Sequence, residues 1–226
     1  MSTVSTSLKP LPIASRLAKN PSSKPRYSVN VQLNSGEQIA VADPKATRAM
    51  VALMDMNAAH GGAASHYGGP AAFEELMSAA HGLMFHQSEK ARVPWFEAFN
   101  FVNDAGHCEN GLYALKASYG FADLSIESLK KFRSIESPLT GHGEAHLFPQ
   151  GVLVSNGPLG SSLPQSQGLA IADAISGKKR VTMCALSDGA AMEGEAKEAL
   201  AAIPGLAKRG KVAPFVLVIS DNRTQL

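Results

Sequence analysis

Asp188 and Asn222 are the residues of this chain whose types and placement first suggest chemistry, because each stands just past an apolar run. Val181–Ser187 reads as a short buried strand that stops at Asp188-Gly189, and Pro214–Ser220 as a second that stops at Asp221-Asn222. Between them a helical pattern runs from about Glu193 to Ile203. Strand, helix, strand at this spacing is a right-handed βαβ unit with parallel strands, so both strands finish on the same sheet edge. Open α/β sheets bind ligands at that edge. Asp188 offers a charged oxygen and Asn222 a neutral carbonyl oxygen, which suits a hard cation such as Mg²⁺ or Ca²⁺ better than zinc. So few protein oxygens leave a Mg²⁺ to be completed by water and phosphate oxygens. The turn after Asp188 also leads into a helix N-terminus, whose free N–H groups favour an anion. The pattern predicts a diphosphate held through a metal. The plain alternative is that Asp-Gly and Asp-Asn are ordinary turn residues at strand exits.

Those residues need a scaffold, and the rest of the chain supplies helices and short strands. Val29, Val31 and Leu33 alternate, Asn34-Ser35-Gly36 makes a turn, and Ile39 and Val41 alternate again, predicting a β-hairpin. Asp43-Pro44 starts a helix, with an N-cap carboxylate and a proline whose missing N–H costs nothing there, and the helix should fade before Gly61-Gly62. Pro70 opens a second helix with Phe73, Leu76, Met77, Ala80, Leu83 and Met84 on one face. Ile126, Leu129 and Phe132 mark a third. Leu169 to Ala174 belong to a fourth, after the turn at Gly157–Gly160 and before its stop at Gly177. No repeat is present and no linker follows residue 43. The expected architecture is α/β, a parallel β-sheet flanked by helices, with residues 1–42 as an N-terminal arm and hairpin and 43–226 as one domain.

Composition bounds the function classes. The 226 residues are 45% hydrophobic and 18% charged, with a net charge of +2, too balanced for a dedicated nucleic-acid binder. No apolar run approaches the roughly 20 residues of a membrane span. Cys108 and Cys184 form no CxxC pair and read as free thiols of a reducing, intracellular compartment. The first thirty residues carry Lys9, Arg16, Lys19, Lys24 and Arg26 and no acid, a composition shared with organellar transit peptides. An arm lying across a surface, this chain's or a partner's, is the preferred reading, with the cytoplasm as location and an organelle as the alternative. Gly177-Lys178-Lys179 lacks the rest of a P-loop, and Gly61-Gly62 with Gly68-Gly69 around His66 makes no dinucleotide fingerprint.

Five short motifs then fall in one order: Ser65-His66-Tyr67-Gly68-Gly69, Ala105-Gly106-His107, Gly141-His142-Gly143-Glu144, Gly157-Pro158-Leu159-Gly160, and Ser187-Asp188-Gly189 with Met192-Glu193-Gly194. Each is weak alone. Together, over roughly residues 43 to 226, they resemble the thiamine-diphosphate half of transketolases, and Ser125–Arg133 sits where that family carries a similar helix. The resemblance implies a thiamine diphosphate-binding fold of the diphosphate (PP) type. It implies that Asp188, Asn222 and the backbone carbonyl of Thr224 bind the metal, Mg²⁺ or Ca²⁺. It implies that Gly189 packs against the diphosphate of the cofactor, that His107 approaches the cofactor, and that Gly157, Pro158 and Leu159 line it. His66 and His142 would face the substrate as catalytic residues, and Glu193 would join a carboxylate network at a dimer interface.

Two departures from the family pattern stand out. Ser187 replaces a glycine, and the first histidine motif lacks the glycine before and the proline after His66. The family also continues into a second, pyrimidine-binding domain that carries the glutamate activating the cofactor. The chain is therefore expected to be a fragment, a split subunit or an inactive homologue, needing a homodimer partner or a partner chain for activity. The implied reaction transfers a two-carbon ketol unit from a ketose phosphate to an aldose phosphate. The alternatives are an E1-type component of homodimeric pyruvate dehydrogenase, or a non-catalytic interaction protein on the same fold.

Overall fold

The computed structural model describes residues 14–21 and 24–222. Thr224 and the basic residue Lys9 lie outside them. The hairpin is present as β1 (Ser28–Gln32) and β2 (Gln38–Ala42), paired antiparallel from Ser28 opposite Ala42 to Gln32 opposite Gln38. Ile39, Val41 and Ala42 are buried, and Ala42 belongs to the main hydrophobic core. Its backbone N–H donates to the Tyr119 hydroxyl at 3.3 Å, and its carbonyl accepts from Ser78.

Helix α1 (Pro44–His60) begins as the sequence predicts, with Asp43 Oδ1 accepting from Lys45 N at 2.9 Å and proline at the first helical position. Helix α2 spans Gly68–Ala91, two residues earlier than Pro70. Its buried stripe also differs from the predicted face. Phe73, Met77, Ala80 and Met84 are buried, whereas Leu76 is exposed. The helix is wedged between neighbours and buries the polar Glu74, Ser78, His81 and Ser88 too, which an apolar periodicity cannot mark. A single turn, α3 (Trp95–Ala98), leads into β3 (Phe99–Asn103), and α4 (Glu109–Ser118) follows. Neither β3 nor α4 was evident in the sequence pattern. Helix α5 (Ile126–Lys130) is capped by Ser125, and α6 spans Ser162–Ile175, beginning seven residues before Leu169.

The βαβ unit is β4 (Val181–Ser187), the single turn α7 (Asp188–Ala191), α8 (Gly194–Lys208) and β5 (Phe215–Ser220). The sheet order is β3-β4-β5, all parallel, with Phe99 opposite Val181 and Thr182 opposite Phe215. Alternation along these strands divides two cores. Phe101, Met183 and Ala185 face the core shared with α2 and α4, while Cys184 and Leu186 face α6 and α8 through Leu163, Ala196 and Ala199. A third cluster joins α1, α4 and α5 through Met54, Tyr113, Leu129 and Phe148. The architecture is α/β, a parallel sheet flanked by helices.

At the end of the sheet where β3 and β4 begin, a polar clasp ties helix to strands. Arg180 Nε donates to Asp173 at 3.0 and 3.1 Å, and Asn100 Nδ2 donates to Asp173 Oδ2 at 2.7 Å. Leu17, Ala18 and Asn20 of the N-terminal arm pack on this chain's own domain. Trp95 donates from its backbone to Asn20 Oδ1 at 2.6 Å and from its indole to Ala18 O at 2.9 Å. Among the described residues no helix is long and apolar enough to cross a membrane.

Candidate functional site

All three parallel strands finish toward one edge, and the segments that leave it carry His107, Asp188, Gly189 and Asn222. Ser187, the departure from glycine, takes the N-cap of α7, its Oγ accepting from Ala190 N at 3.1 Å. A serine is therefore useful at this strand end, since it satisfies a buried helix N–H that a glycine could not cap with a side chain. Asp188 follows, half-buried, with Oδ1 accepting from Gly189 N at 2.9 Å and Oδ2 from Asn222 N at 3.3 Å. The two strand exits of the βαβ unit are thus in contact. Among the described residues no cluster of three His, Cys, Asp or Glu side chains could hold a metal by itself. The oxygen donors of Asp188 and Asn222 fit a hard cation whose remaining ligands come from elsewhere.

The β3 exit brings the histidines together. Asn103, Asp104, Ala105 and Gly106 are buried, and His107 is half-buried behind them. The His66 and His107 rings meet edge to face, 5.5 Å between centroids and 74° between planes. Burial, reinforced by the neighbouring His66 and His142, holds the His107 imidazole below its ordinary pKa of 6.5, with the Asp188 carboxylate opposing them. His107 is accordingly a neutral hydrogen-bonding group near neutral pH. His66 and His142 are exposed. A Cβ on Gly106 would stand 2.8 Å from both His142 Cδ2 and Asn156 Oδ1, so only glycine permits this approach of the two histidine loops.

The Gly157–Gly160 turn completes the edge. Pro158 and Leu159 are exposed, and Gly157 has a φ of +147°. Gly160 has a φ of +79°, and a Cβ there would stand 2.7 Å from Glu193 Cβ, so this turn packs against the exposed start of α8. The turn is held from below by a residue that sequence reasoning missed. Asp104 is fully buried, and its two oxygens accept from Gly160 N and Leu163 N, each at 2.8 Å. Burial raises the Asp104 carboxyl pKa, and these backbone N–H groups work against the rise.

Asn103, Glu109, Asn110 and Asn156 were missed as well. Asn110 Nδ2 donates to the His66 carbonyl at 2.8 Å and to Asp55 Oδ1 at 3.0 Å, fixing the His66 loop to α1. The available signal was position alone: Asn103-Asp104 directly precedes Ala105-Gly106-His107, and Asn156 directly precedes Gly157.

The sequence profile described as the transketolase, thiamine diphosphate binding domain matches residues 45–223, which is most of the chain. This chain belongs to that family. Within it, the domain is 36% identical over 142 residues to the transketolase of a Nostoc species, covering 58% of this chain and 20% of that protein. It is 32% identical over 160 residues to the transketolase of Treponema pallidum, with 66% and 24% covered. It is likewise 32% identical over 167 residues to transketolase 1 of Saccharomyces cerevisiae, with 69% and 24% covered. This transketolase-family domain therefore spans about a fifth to a quarter of the length of these relatives. Its ordered motifs lie in loops and helix starts at or beside the strand-exit edge, where open α/β sheets bind ligands.

Proposed function

We propose that this chain supplies the diphosphate- and metal-binding half of a thiamine diphosphate site, in an enzyme that transfers a two-carbon ketol unit from a ketose phosphate to an aldose phosphate. The observation that carries the reading is the contact between Asp188 and Asn222, beside the turn that Asp104 holds against Glu193. Asp188, Asn222 and, outside the described residues, the Thr224 carbonyl would hold Mg²⁺ or Ca²⁺, whose positive charge would favour the diphosphate there. Gly189, with no side chain, lets that diphosphate approach the backbone. When bound, thiamine diphosphate supplies the nucleophilic thiazolium carbon and the electron sink that the transfer needs.

The chain's own residues bind, orient and move protons. His107 donates or accepts a hydrogen bond as a neutral imidazole at the cofactor. Gly157, Pro158 and Leu159 present backbone and apolar surface along it. His66 and His142, exposed on the open side, hold the sugar hydroxyls and exchange protons with them. Glu193, beside Gly160, faces a second subunit, either another copy of this chain or a partner carrying the pyrimidine-binding domain. The location is cytoplasmic, with an organelle as the alternative.

The test is calorimetric titration of thiamine diphosphate into the chain assembled with its pyrimidine-binding partner, with Mg²⁺ and with excess chelator. Binding that needs the metal supports the reading, and equal affinity in chelator overturns it. Turnover of ketose phosphate rather than pyruvate separates it from the pyruvate dehydrogenase alternative. Absence of any cofactor binding favours the interaction protein.

A further inference from the structure

Asn156 lies directly before the Gly157 turn and is 4% exposed. We propose that Asn156, seated on Glu109, is the positioning residue that keeps the His107 loop, the His142 loop and the Gly157–Gly160 turn in register. Its importance for catalysis rests on the thiamine-diphosphate reading above, whereas its positioning role does not.

The bonds are specific. Asn156 Nδ2 donates to the Asn103 carbonyl at 3.0 Å and to Glu109 Oε2 at 3.1 Å. Asn156 Oδ1 accepts from Gly143 N at 2.7 Å, and the Asn156 backbone N–H donates to the Gly143 carbonyl at 2.9 Å. Gly143 directly follows His142, and Asn103 ends β3, four residues before His107. Among the described residues, no other side chain hydrogen-bonds both the β3 exit and the His142–Gly143 turn. The amide has one workable orientation. Turned over, it would set its oxygen against a carboxylate and a carbonyl, and its NH₂ against the Gly143 N–H.

Glu109 makes the arrangement stiff. It is 2% exposed at the start of α4, and Asn103 Nδ2 shares its Oε2 with Asn156, at 2.8 Å. Further along α4, buried Lys116 donates to the Gly151 carbonyl at 2.7 Å, and the Glu109 charge favours its ammonium form against burial. Buried, hydrogen-bonded polar groups of this kind specify one arrangement, because breaking any one leaves its partners unpaired in a low-dielectric interior. Tyr113 and Thr140 also bond the His142 carbonyl, and Asp104 N donates to Ala185 O in β4, but none of these bonds joins one histidine loop to the other as the Asn156 side chain does.

The experiment records imidazole proton–carbon NMR spectra of the 226-residue chain and of Asn156→Ala. His107 and His142 signals should both shift or broaden, while His81 and His86, in the core and by the hairpin, keep theirs. Ser155→Ala removes a neighbouring exposed bond between the same loops, from Ala145 N at 2.9 Å, and should leave His107 unmoved. If Asn156→Ala does not fold, Asn156→Ser, which cannot reach all three partners, should give the same two shifts. Unmoved His107 and His142 signals in a folded variant overturn the proposal, as does an equal effect from Ser155→Ala. A parallel thiamine diphosphate titration of the assembled enzyme should need about 10-fold more cofactor in the variant, as loss of an outer supporting partner typically does. If the unaltered assembly binds no cofactor, the functional reading fails while the NMR result still decides the positioning role.

Discussion

The carboxylate of Asp104 accepts the backbone N–H of Gly160 at 2.8 Å, joining the residue just after β3 to a loop more than fifty residues later. Its other oxygen accepts the N–H of Leu163 in the first turn of α6. One buried side chain thus sets both the glycine turn and the start of the helix behind it. Asp104→Asn keeps the shape but offers an NH₂ to one of two N–H donors. The expected loss is about 1–3 kcal/mol of stability, the cost of one buried donor left unpaired. Urea denaturation measures it, and an unchanged midpoint would contradict the assignment.

Two buried groups should bend the pH dependence of stability in opposite directions. Glu74 is 1% exposed with Oε2 unpaired, and burial raises its pKa well above 4.5. The folded state therefore keeps a proton that the unfolded chain loses, so its contribution is full below pH 4.5 and fades as pH rises toward the folded pKa. Glu74→Gln should gain on the unaltered chain progressively above pH 4.5.

His81 works the other way. Burial first, then the Lys116 charge, lowers its pKa from 6.5 to about 3. The unfolded chain binds the proton first, so stability is full above pH 6.5 and falls toward pH 3, by up to about 1.4 kcal/mol per pH unit. His81→Gln should flatten that acid limb. Denaturation midpoints across pH 3.5 to about 8 test both substitutions, and parallel curves for variants and unaltered chain would refute the two assignments.

Metal and cofactor should depend on one another. Asp188 is the one charged oxygen donor the reading assigns to the metal, so Asp188→Ala should abolish metal-dependent thiamine diphosphate binding. Its bonds to Gly189 and Asn222 are peripheral to the core, and thermal melting should move by only a few degrees. Retained Mg²⁺-dependent affinity would remove Asp188 from the metal.

The histidines should separate by kinetics in the assembled enzyme. His66→Ala and His142→Ala should lower turnover at saturating cofactor by about 10²–10⁴, the usual loss of acid–base help. His107→Ala should chiefly raise the cofactor concentration needed, since its ring is half-buried beside His66 rather than open to substrate. Full turnover by His66→Ala would reduce its motif to a positional match.

The sequence alone determined the βαβ unit, the hairpin and the Asp43 cap, because these depend on contrasts that neighbouring residues display. Strand β4 runs from Val181 to Ser187 as its apolar run predicts, and Asp188 and Asn222 meet because parallel strands exit at one edge and the register sets Ser187 opposite Ser220. The order of the histidine and glycine motifs was equally legible, being a property of the chain itself. Strand β3 was not. Its five residues are all buried, yet Asn100 and Asn103 interrupt the apolar pattern, and their acceptability depends on Asp173, Thr182 and Glu109 elsewhere in the chain. The same holds for Asp104 and Asn156, which read as loop residues until their partners are known. Periodicity reports which side of an element meets water. A polar group buried with its hydrogen bonds satisfied looks like surface in that signal, and only the packing of distant segments shows what it binds.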